Sequence, residues 1–474
     1  MNVGALRKAL LHSSSSLGYK ASRYRSMNKL IVPNERERRI FDLLVECIRR
    51  NRLDVELRVA GGWVRDKLLG IDCHDLDIAI DRMMGEAFAS FFLKFLKERL
   101  FEASSCGVIA SNPARSKHLE TATMNLFGLE LDFVNLRSEA YATDSRIPHK
   151  ILFGSPLEDA QRRDITINAL FYNLHSKQVE DHTGCGLDDL HQKIIRTPLE
   201  PLLTLMDDPL RVLRVIRFAS RFGARIEASL EEALRSKSTH KALLEKVSRE
   251  RVGIEVEKIL SVDTALTGLA FIIDLGLYDA VFFTNESRKA PLRKDFLNFK
   301  FAYFEQMLAA ALLPFWESRT STKKLEPTIT AILRDSLKLS NKTTSAVLKL
   351  TQSYETIVEY FLRRDEFSAS QIGRLVFEIG ERWRNAFELA HRRAMYYGDI
   401  PAETSLEDAL NRVETLGLAS AWAMKPLLNG TEIGALTSCK GPQIGVLLSK
   451  LMDWQFENPR ATKSQAEQFF AVQV

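Results

Sequence analysis

The chain is poor in cysteine and arranges what it has without a pattern. Cys47, Cys73, Cys106, Cys185 and Cys439 are scattered and form no CxxC pair. That argues against a zinc site or a disulfide framework and fits a reducing compartment. No uninterrupted apolar run is long enough to cross a bilayer, so no membrane partner is expected. Short-period repeats and low-complexity tracts are also lacking, which sets aside solenoid and linker-like architectures. Acidic residues are missing from the first 34 positions, which carry Arg7, Lys8, Lys20, Arg23, Arg25 and Lys29. The formal net charge is +5, and taking those six from the 66 basic residues leaves 60 against 61 acidic. Any nucleic-acid binding by the rest of the chain therefore rests on local patches and not on a general positive field.

The acid-free stretch also holds Ser13 to Ser16 and a possible apolar stripe of Leu6, Leu10, Leu11 and Leu17. This composition predicts a mitochondrial targeting segment over residues 1–33, with a basic tail as the plainer reading. Initiation at Met27 would remove most of it and leave the protein in the cytoplasm or nucleus.

What is present is an ordinary globular composition, 45% apolar and 27% charged over 474 residues, enough for two to four structural units. Hydrophobic spacing predicts a helix over 35–50, strands over 57–60 and 75–80 flanking a short helix at 64–69, and an amphipathic helix over 85–100. Residues 101–124 read as polar and irregular, 129–134 as a strand, and 164–174 as a strand. After about residue 190 the strand signals largely stop, and helical patterns run at 209–222, 230–234, 250–260 and 265–275. The expected fold is α+β: a mixed-sheet head followed by an all-helical remainder. Soft boundaries are expected around Asn285–Arg293 and Thr320–Lys324.

Chemistry concentrates in four places. Val59-Ala-Gly61-Gly62-Trp-Val-Arg65-Asp66 is followed by Asp75-Leu-Asp77. Two glycines let backbone N–H groups approach a triphosphate, and carboxylates at i and i+2 of a strand share a face. Such a pair can hold two Mg²⁺ ions for in-line phosphoryl or nucleotidyl transfer. A third carboxylate is expected on an adjacent strand. Glu130-Leu-Asp132 supplies candidates, with Asp132 preferred and a solvating edge charge as the alternative. Arg162-Arg163-Asp164-Ile-Thr-Ile-Asn168 reads as a strand whose polar face could bind a ribose or order the carboxylates. Asp181 to Leu190 reads as a turn-rich hinge or a plain connector.

The fourth cluster is Asp207-Asp208-Pro-Leu-Arg211, continued by Arg214, Arg217 and Arg221. An acceptor and a donor three residues apart match the edges of cytosine and adenine, whereas guanine and uracil would face like partners. Local sequence alone favours a helix cap with an intrahelical ion pair. The following arginines read either as a stripe along a phosphate backbone or as a solvated face. Arg251 and Glu255 read as an i,i+4 pair within their helix.

In this order, the clusters resemble the class II tRNA nucleotidyltransferases, the CCA-adding enzymes, within the DNA polymerase beta-type nucleotidyltransferase superfamily. Ser116-Lys-His-Leu-Glu-Thr-Ala-Thr123, Asp132-Phe-Val-Asn-Leu-Arg137, Leu428-Asn-Gly-Thr-Glu-Ile-Gly434 and Gly441-Pro-Gln-Ile-Gly445 resemble the eukaryotic branch. The resemblance implies that Asp75 and Asp77 bind metal and that Arg162, Arg163, Asp164 and Asn168 shape the ribose and triphosphate site. It implies that Asp208 and Arg211 select the base, which reverses the local reading of that pair. It also implies that the loop 105–123 switches the enzyme to A addition. Asp207 stands where many members have Glu. The implied layout is a head over 34–180, a neck over 181–262, a body over 263–345 and a tRNA-binding tail over 346–474. The implied substrates are CTP, ATP and tRNA, with no DNA partner. Enzymes adding only CC or only A, and poly(A) polymerases, share the head motifs.

Overall fold

The computed structural model describes residues 31–101, 107–109, 121–141, 148–283, 301–312, 315 and 322–471. It divides into two compact units, Met1–Val281 and Phe282–Val474. The expected targeting segment lies outside the described residues apart from its last three positions. So do residues 105–106 and 110–120 of the expected loop and the boundary at Asn285–Arg293. At the other expected boundary, Thr322 already opens the helix Thr322–Ala331.

The first unit begins with α1 (Glu35–Asn51). Its start is held by a reciprocal cap, in which Asn34 accepts from the Glu37 amide and Glu37 accepts from the Asn34 amide. Glu37 is fully buried and also accepts from Trp63 Nε1 at 2.9 Å, with Lys67 Nζ at 2.9 Å. Next come β1 (Leu57–Ala60), α2 (Gly62–Leu68), β2 (Asp75–Ile80) and α3 (Gly85–Glu98). They are followed by β3 (Gly107–Ile109), β4 (Thr121–Leu126), β5 (Leu129–Asn135), β6 (Arg137–Tyr141), β7 (Pro148–Phe153) and α4 (Pro156–Gln161), then β8 (Leu170–Asn173) and β9 (Gln178–Asp181).

Seven of these strands form one sheet in the order β3-β4-β5-β2-β1-β8-β9. β2 and β5 run parallel and the other pairs antiparallel. Strand alternation gives the sheet two unlike faces. Leu57, Val59, Leu76, Ile78, Leu131, Phe133, Leu170 and Tyr172 pack under α1 and α3 in the main core. The opposite face carries Asp75, Asp77, Glu130 and Asp132, with a small cluster of Ala60, Ala79, Leu136, Ala160, Ala169 and Phe171 beside them.

Three sequence expectations need correction. The run 164–174 is a strand only over Leu170–Asn173, and Thr166–Asn168 is a 3₁₀ turn. The Asp164 carboxylate accepts from the Ile165 amide at 2.9 Å and from Asn168 Nδ2 at 3.1 Å, a local alternative to ladder bonding. Residues 101–124 are not irregular throughout, because Gly107–Ile109 pairs with Thr121–Thr123. Past residue 190, Ile194–Ile195 and Arg225–Ile226 form a short parallel pair.

The helical part of this unit contains α5 (Gly186–Gln192), α6 (Pro201–Asp207), α7 (Arg211–Phe222), α8 (Ala228–Arg235), α9 (Lys237–Lys246), α10 (Arg249–Leu260) and α11 (Ala265–Asp274). The junction before α5 is tightly bonded. Asp181 accepts from the amides of Thr183, Gly184 and Leu187 at 3.0–3.2 Å. α7 buries Val212, Leu213, Val215, Ile216, Phe218 and Ala219 and ends at Gly223 in the left-handed region.

The second unit is helical among its described residues. Trp383, Phe387, Tyr360 and Phe361 form an aromatic centre. Leu428, Ile433, Leu451, Ala466 and Phe470 form a smaller cluster around the helices Gly430–Thr437 and Pro442–Glu457. No helix of the described residues is long and apolar enough to cross a membrane.

Candidate active site

The polar face of the sheet gathers the carboxylates. Register pairs Asp77 with Asp132 and Asp75 with Glu130 across the parallel β2–β5 ladder. Asp132 Oδ1 accepts from Thr123 Oγ1 at 2.6 Å, so a residue of β4 orients it. Asp75 and Asp77 both reach solvent, while Leu76 between them is buried. Protein nevertheless crowds the Asp77 carboxyl on most sides. That desolvation pushes it above the usual carboxylate range; Arg163 opposes the shift, and Asp132 and Asp75 add to it.

Mutual repulsion of this kind is what a divalent cation offsets, so the donor set fits Mg²⁺. Among the described residues no three carboxylate, imidazole or thiol groups form a ready-made cage. Mg²⁺ commonly takes one or two protein carboxylates and completes its shell with substrate phosphates and water.

Gly61 lies beside this face with φ +67°, a conformation that favours glycine. A Cβ there would sit 2.8 Å from Arg163 Nη1. Gly61 opens α2, whose first turn has no side-chain cap. The Gly61 amide itself bonds to the Leu170 carbonyl at 2.9 Å.

Arg162 and Arg163 project from the end of α4 toward a single carboxylate, Asp159. Asp159 Oδ1 accepts from Arg162 Nε at 2.8 Å and from Arg162 Nη2, and Oδ2 accepts from Arg163 Nε and Nη2 at 3.1 and 2.9 Å. The paired arginines hold the Asp159 carboxyl below the usual range despite its burial. Sequence reasoning missed Asp159. The signal was its i, i+3, i+4 spacing to the two arginines behind the Ser155/Glu158 cap.

Arg65, Asp66, Asp164 and Asn168 are buried and bonded to one another or to α7. Arg65 donates to Asp66 Oδ1 at 2.8 Å and to Asn168 Oδ1, and its guanidinium lies 5.0 and 5.1 Å from the rings of Phe218 and Phe222. Asp164 pairs with Arg214 at 2.7 Å, which keeps its carboxyl low against full burial. These four form the layer beneath the open face, so the expected polar strand face is corrected to a closed network.

α7 is fastened to the head along its length. Arg211 donates to the Thr204 carbonyl at 3.0 Å and to the Arg162 carbonyl at 2.6 Å. Arg214 meets Asp164, Arg217 meets Glu255 at 2.7 Å, and Arg221 lies 3.7 Å from Asp66. The expected free basic stripe of Arg214, Arg217 and Arg221 is therefore corrected: head and α10 carboxylates already face each guanidinium. The local pairings are corrected too. Asp208 does not pair with Arg211; it accepts from Arg251 at 2.7 and 3.2 Å, and Glu255 is taken by Arg217 instead of Arg251. Asp208 Oδ1 also accepts from the Leu210 amide at 3.3 Å.

The family described as "Poly A polymerase head domain" matches residues 57–196, and "Probable RNA and SrmB- binding site of polymerase A" matches 223–284. The chain is 35% identical to tRNA nucleotidyltransferase cca1 of Schizosaccharomyces pombe, covering 95% of this chain and 98% of that protein. It is 35% identical to the mitochondrial CCA tRNA nucleotidyltransferase of Saccharomyces cerevisiae, covering 86% of each. Its fold is similar to that of the Thermotoga maritima CCA-adding enzyme complexed with tRNA, with TM-score 0.61 and 21% identity over 94% of this chain and 96% of that one.

Proposed function

The chain belongs to the tRNA nucleotidyltransferase family, in its eukaryotic CCA-adding branch, and from that premise we propose that it adds C, C and A to the 3′ end of tRNA from CTP and ATP. The observation that carries the reading is the register of Asp77 against Asp132 on an open face beside Arg163 and Gly61. Such a face supports the reading by offering carboxylates and a guanidinium to one reacting phosphate.

Asp75 and Asp77 would hold two Mg²⁺ ions, which would neutralise charge on the triphosphate and acidify the attacking hydroxyl. Asp132 completes the carboxylate set. The tRNA 3′-oxygen forms its bond to the α-phosphorus as the bond to the bridging oxygen breaks, and pyrophosphate leaves. Arg162 and Arg163 receive the negative charge of the triphosphate. Gly61 and Gly62 bring the backbone close to it. Arg65, Asp66, Asp164 and Asn168 support that layer from below and order the ribose side.

Base choice belongs to Asp208 and Arg211, with no nucleic-acid template. Arg211 is well placed for coupling, since its guanidinium rests on the backbone of Arg162. Asp208 is held by Arg251, so a base reaches it by exchange with that guanidinium. Residues 34–180 serve as head, 181–262 as neck, 263–345 as body and 346–474 as a tRNA-binding tail. The loop 105–123 reshapes the pocket from C to A. Of the three arginines of α7 proposed for tRNA, Arg221 is the most exposed and the most weakly paired. Initiation at Met1 directs the protein to mitochondria, a reading supported by relatives named as mitochondrial.

The test is incubation of the full chain with tRNA lacking its terminus, supplying labelled CTP and ATP separately and together. Addition of CCA supports the reading. Growth of a poly(A) tail without CTP incorporation favours the polymerase reading that the head family's description raises. Arrest at CC, or addition of A to tRNA ending in CC alone, marks a partial enzyme.

A further inference from the structure

One buried carboxylate and one exposed carboxylate compete for the same guanidinium. We propose that Asp159 is a positioning residue that keeps Arg163 off Asp77, and so leaves the Asp75/Asp77 pair open to divalent cations. This rests on the reading of Asp77 as a cation ligand.

Asp159 is 1% exposed and has no solvent to share its charge. Its two oxygens are filled by the forks of Arg162 and Arg163 and by the Arg137 amide at 3.2 Å. Arg163 is held on a second side by its Nη1 bond to the Asn168 carbonyl at 3.1 Å, and it lies 5.0 Å over the ring of Phe171. Phe171 pairs with Ala60 of β1, and continuing the β1–β2 register sets Ala60 across from Asp77. Two strand spacings, about 10 Å, thus separate the Phe171 and Asp77 positions. The Arg163 fork already reaches toward that line, since a Cβ on Gly61, the residue after Ala60, would lie 2.8 Å from its Nη1.

The pull in that direction is electrostatic, for Asp77 stands opposite the like charge of Asp132 and Arg163 carries the opposite one. A guanidinium moved onto Asp77 would neutralise it and exclude a metal ion from the same oxygens. Asp159 prevents this by offering the fork a bidentate partner, a geometry that arginine favours. A purely structural clamp would make no distinction between losing Asp159 alone and losing it together with Arg163. The competition does.

The experiment measures Mn²⁺ binding to the full chain without nucleotide, by the paramagnetic resonance of free Mn²⁺. Asp159→Asn should weaken binding about tenfold, the lower end of outer-sphere effects on metal sites. Because Asp159 acts through Arg163, the double variant Asp159→Asn/Arg163→Gln should bind as tightly as Arg163→Gln alone, both at least as tightly as the parent. Asp77→Asn is the control. If it binds Mn²⁺ like the parent, the reading of Asp77 as a ligand fails. If it loses binding while Asp159→Asn binds normally, or while the double variant stays as weak as Asp159→Asn, the competition is overturned. Thermal unfolding checks that each variant folds. Should Asp159→Asn alone not fold, the other two variants decide: equal binding by Arg163→Gln and Asp159→Asn/Arg163→Gln supports the proposal, and weaker binding by the double variant overturns it.

Discussion

Asp77 and Asp132 stand opposite each other across the parallel pairing of β2 with β5, flanked among the described residues by antiparallel pairs. Parallel register brings both carboxylates to one face although 55 positions separate them in the chain. Burial first, and then the neighbouring charges of Asp132 and Asp75, raise the Asp77 carboxyl, against the opposing pull of Arg163. A site that stores repulsion between like charges is suited to binding ions and triphosphate together.

Replacing Asp75, Asp77 or Asp132 by alanine should abolish C and A addition alike while tRNA binding persists. Loss of one cation ligand removes several kcal/mol of transition-state stabilisation, about a thousandfold or more in rate. Single-turnover kinetics on truncated tRNA, paired with a gel-shift titration, reads both quantities. Near-normal turnover by Asp77→Ala would remove the assignment.

Asp208→Ala and Arg211→Ala should relax base choice more than they slow addition of C. Each base-edge contact should carry about 1–3 kcal/mol of discrimination. Arg211→Ala should also lower stability by about 1–3 kcal/mol, because it strips partners from the Thr204 carbonyl, in a buried bond, and from the part-buried Arg162 carbonyl. Incorporation of UTP and GTP, with urea unfolding alongside, separates the two effects. Unchanged exclusion of both nucleotides would leave the pair a structural element only.

Gly61→Ala should raise the KM for CTP and ATP together without changing which base is chosen. The substitution strains a backbone at φ +67° and drives a methyl group against Arg163 at 2.8 Å. Strain at such a position costs about 1–3 kcal/mol. Steady-state kinetics with each nucleotide tests it, and a rise confined to one nucleotide would contradict it.

Acid should destabilise the first unit through Glu180. Burial raises this carboxyl, but hydrogen bonds from His182, Arg58 and Asn173 bring it down to about 2 from a usual 4.5. The folded value lies below the unfolded one, so the stabilisation is present above pH 4.5 and disappears as pH falls toward 2. Asp159 and Asp164 are lowered too and act in the same direction. Glu180→Gln should lower stability at neutral pH by about 1–2 kcal/mol after solvent screening and flatten the acid limb. Urea midpoints across that range measure both, and an acid limb as steep as the parent's would refute the assignment.

Fusions that can start only at Met1 or only at Met27 should separate to mitochondria and to cytosol or nucleus. Imaging the two decides it, and full mitochondrial entry of the Met27 form would show that the acid-free stretch is not the signal.

The sequence by itself determined the local geometry that these expectations use. Alternation over Asp75–Ile80 puts Asp75 and Asp77 on one face whatever the strand's neighbours, because side-chain direction follows from backbone pleat alone. Apolar spacing likewise marked α1, α3 and α7 to within a few residues. Only the tertiary structure decided who meets whom. Spacing says that Asp208 and Arg211, or Arg251 and Glu255, share a helix face, but a charge goes to the best partner available in space. Asp208 takes Arg251, Glu255 takes Arg217, and Asp164 takes Arg214. The same holds for Asp132 beside Asp77: strand register is set by packing between segments distant in the chain, which no local pattern encodes.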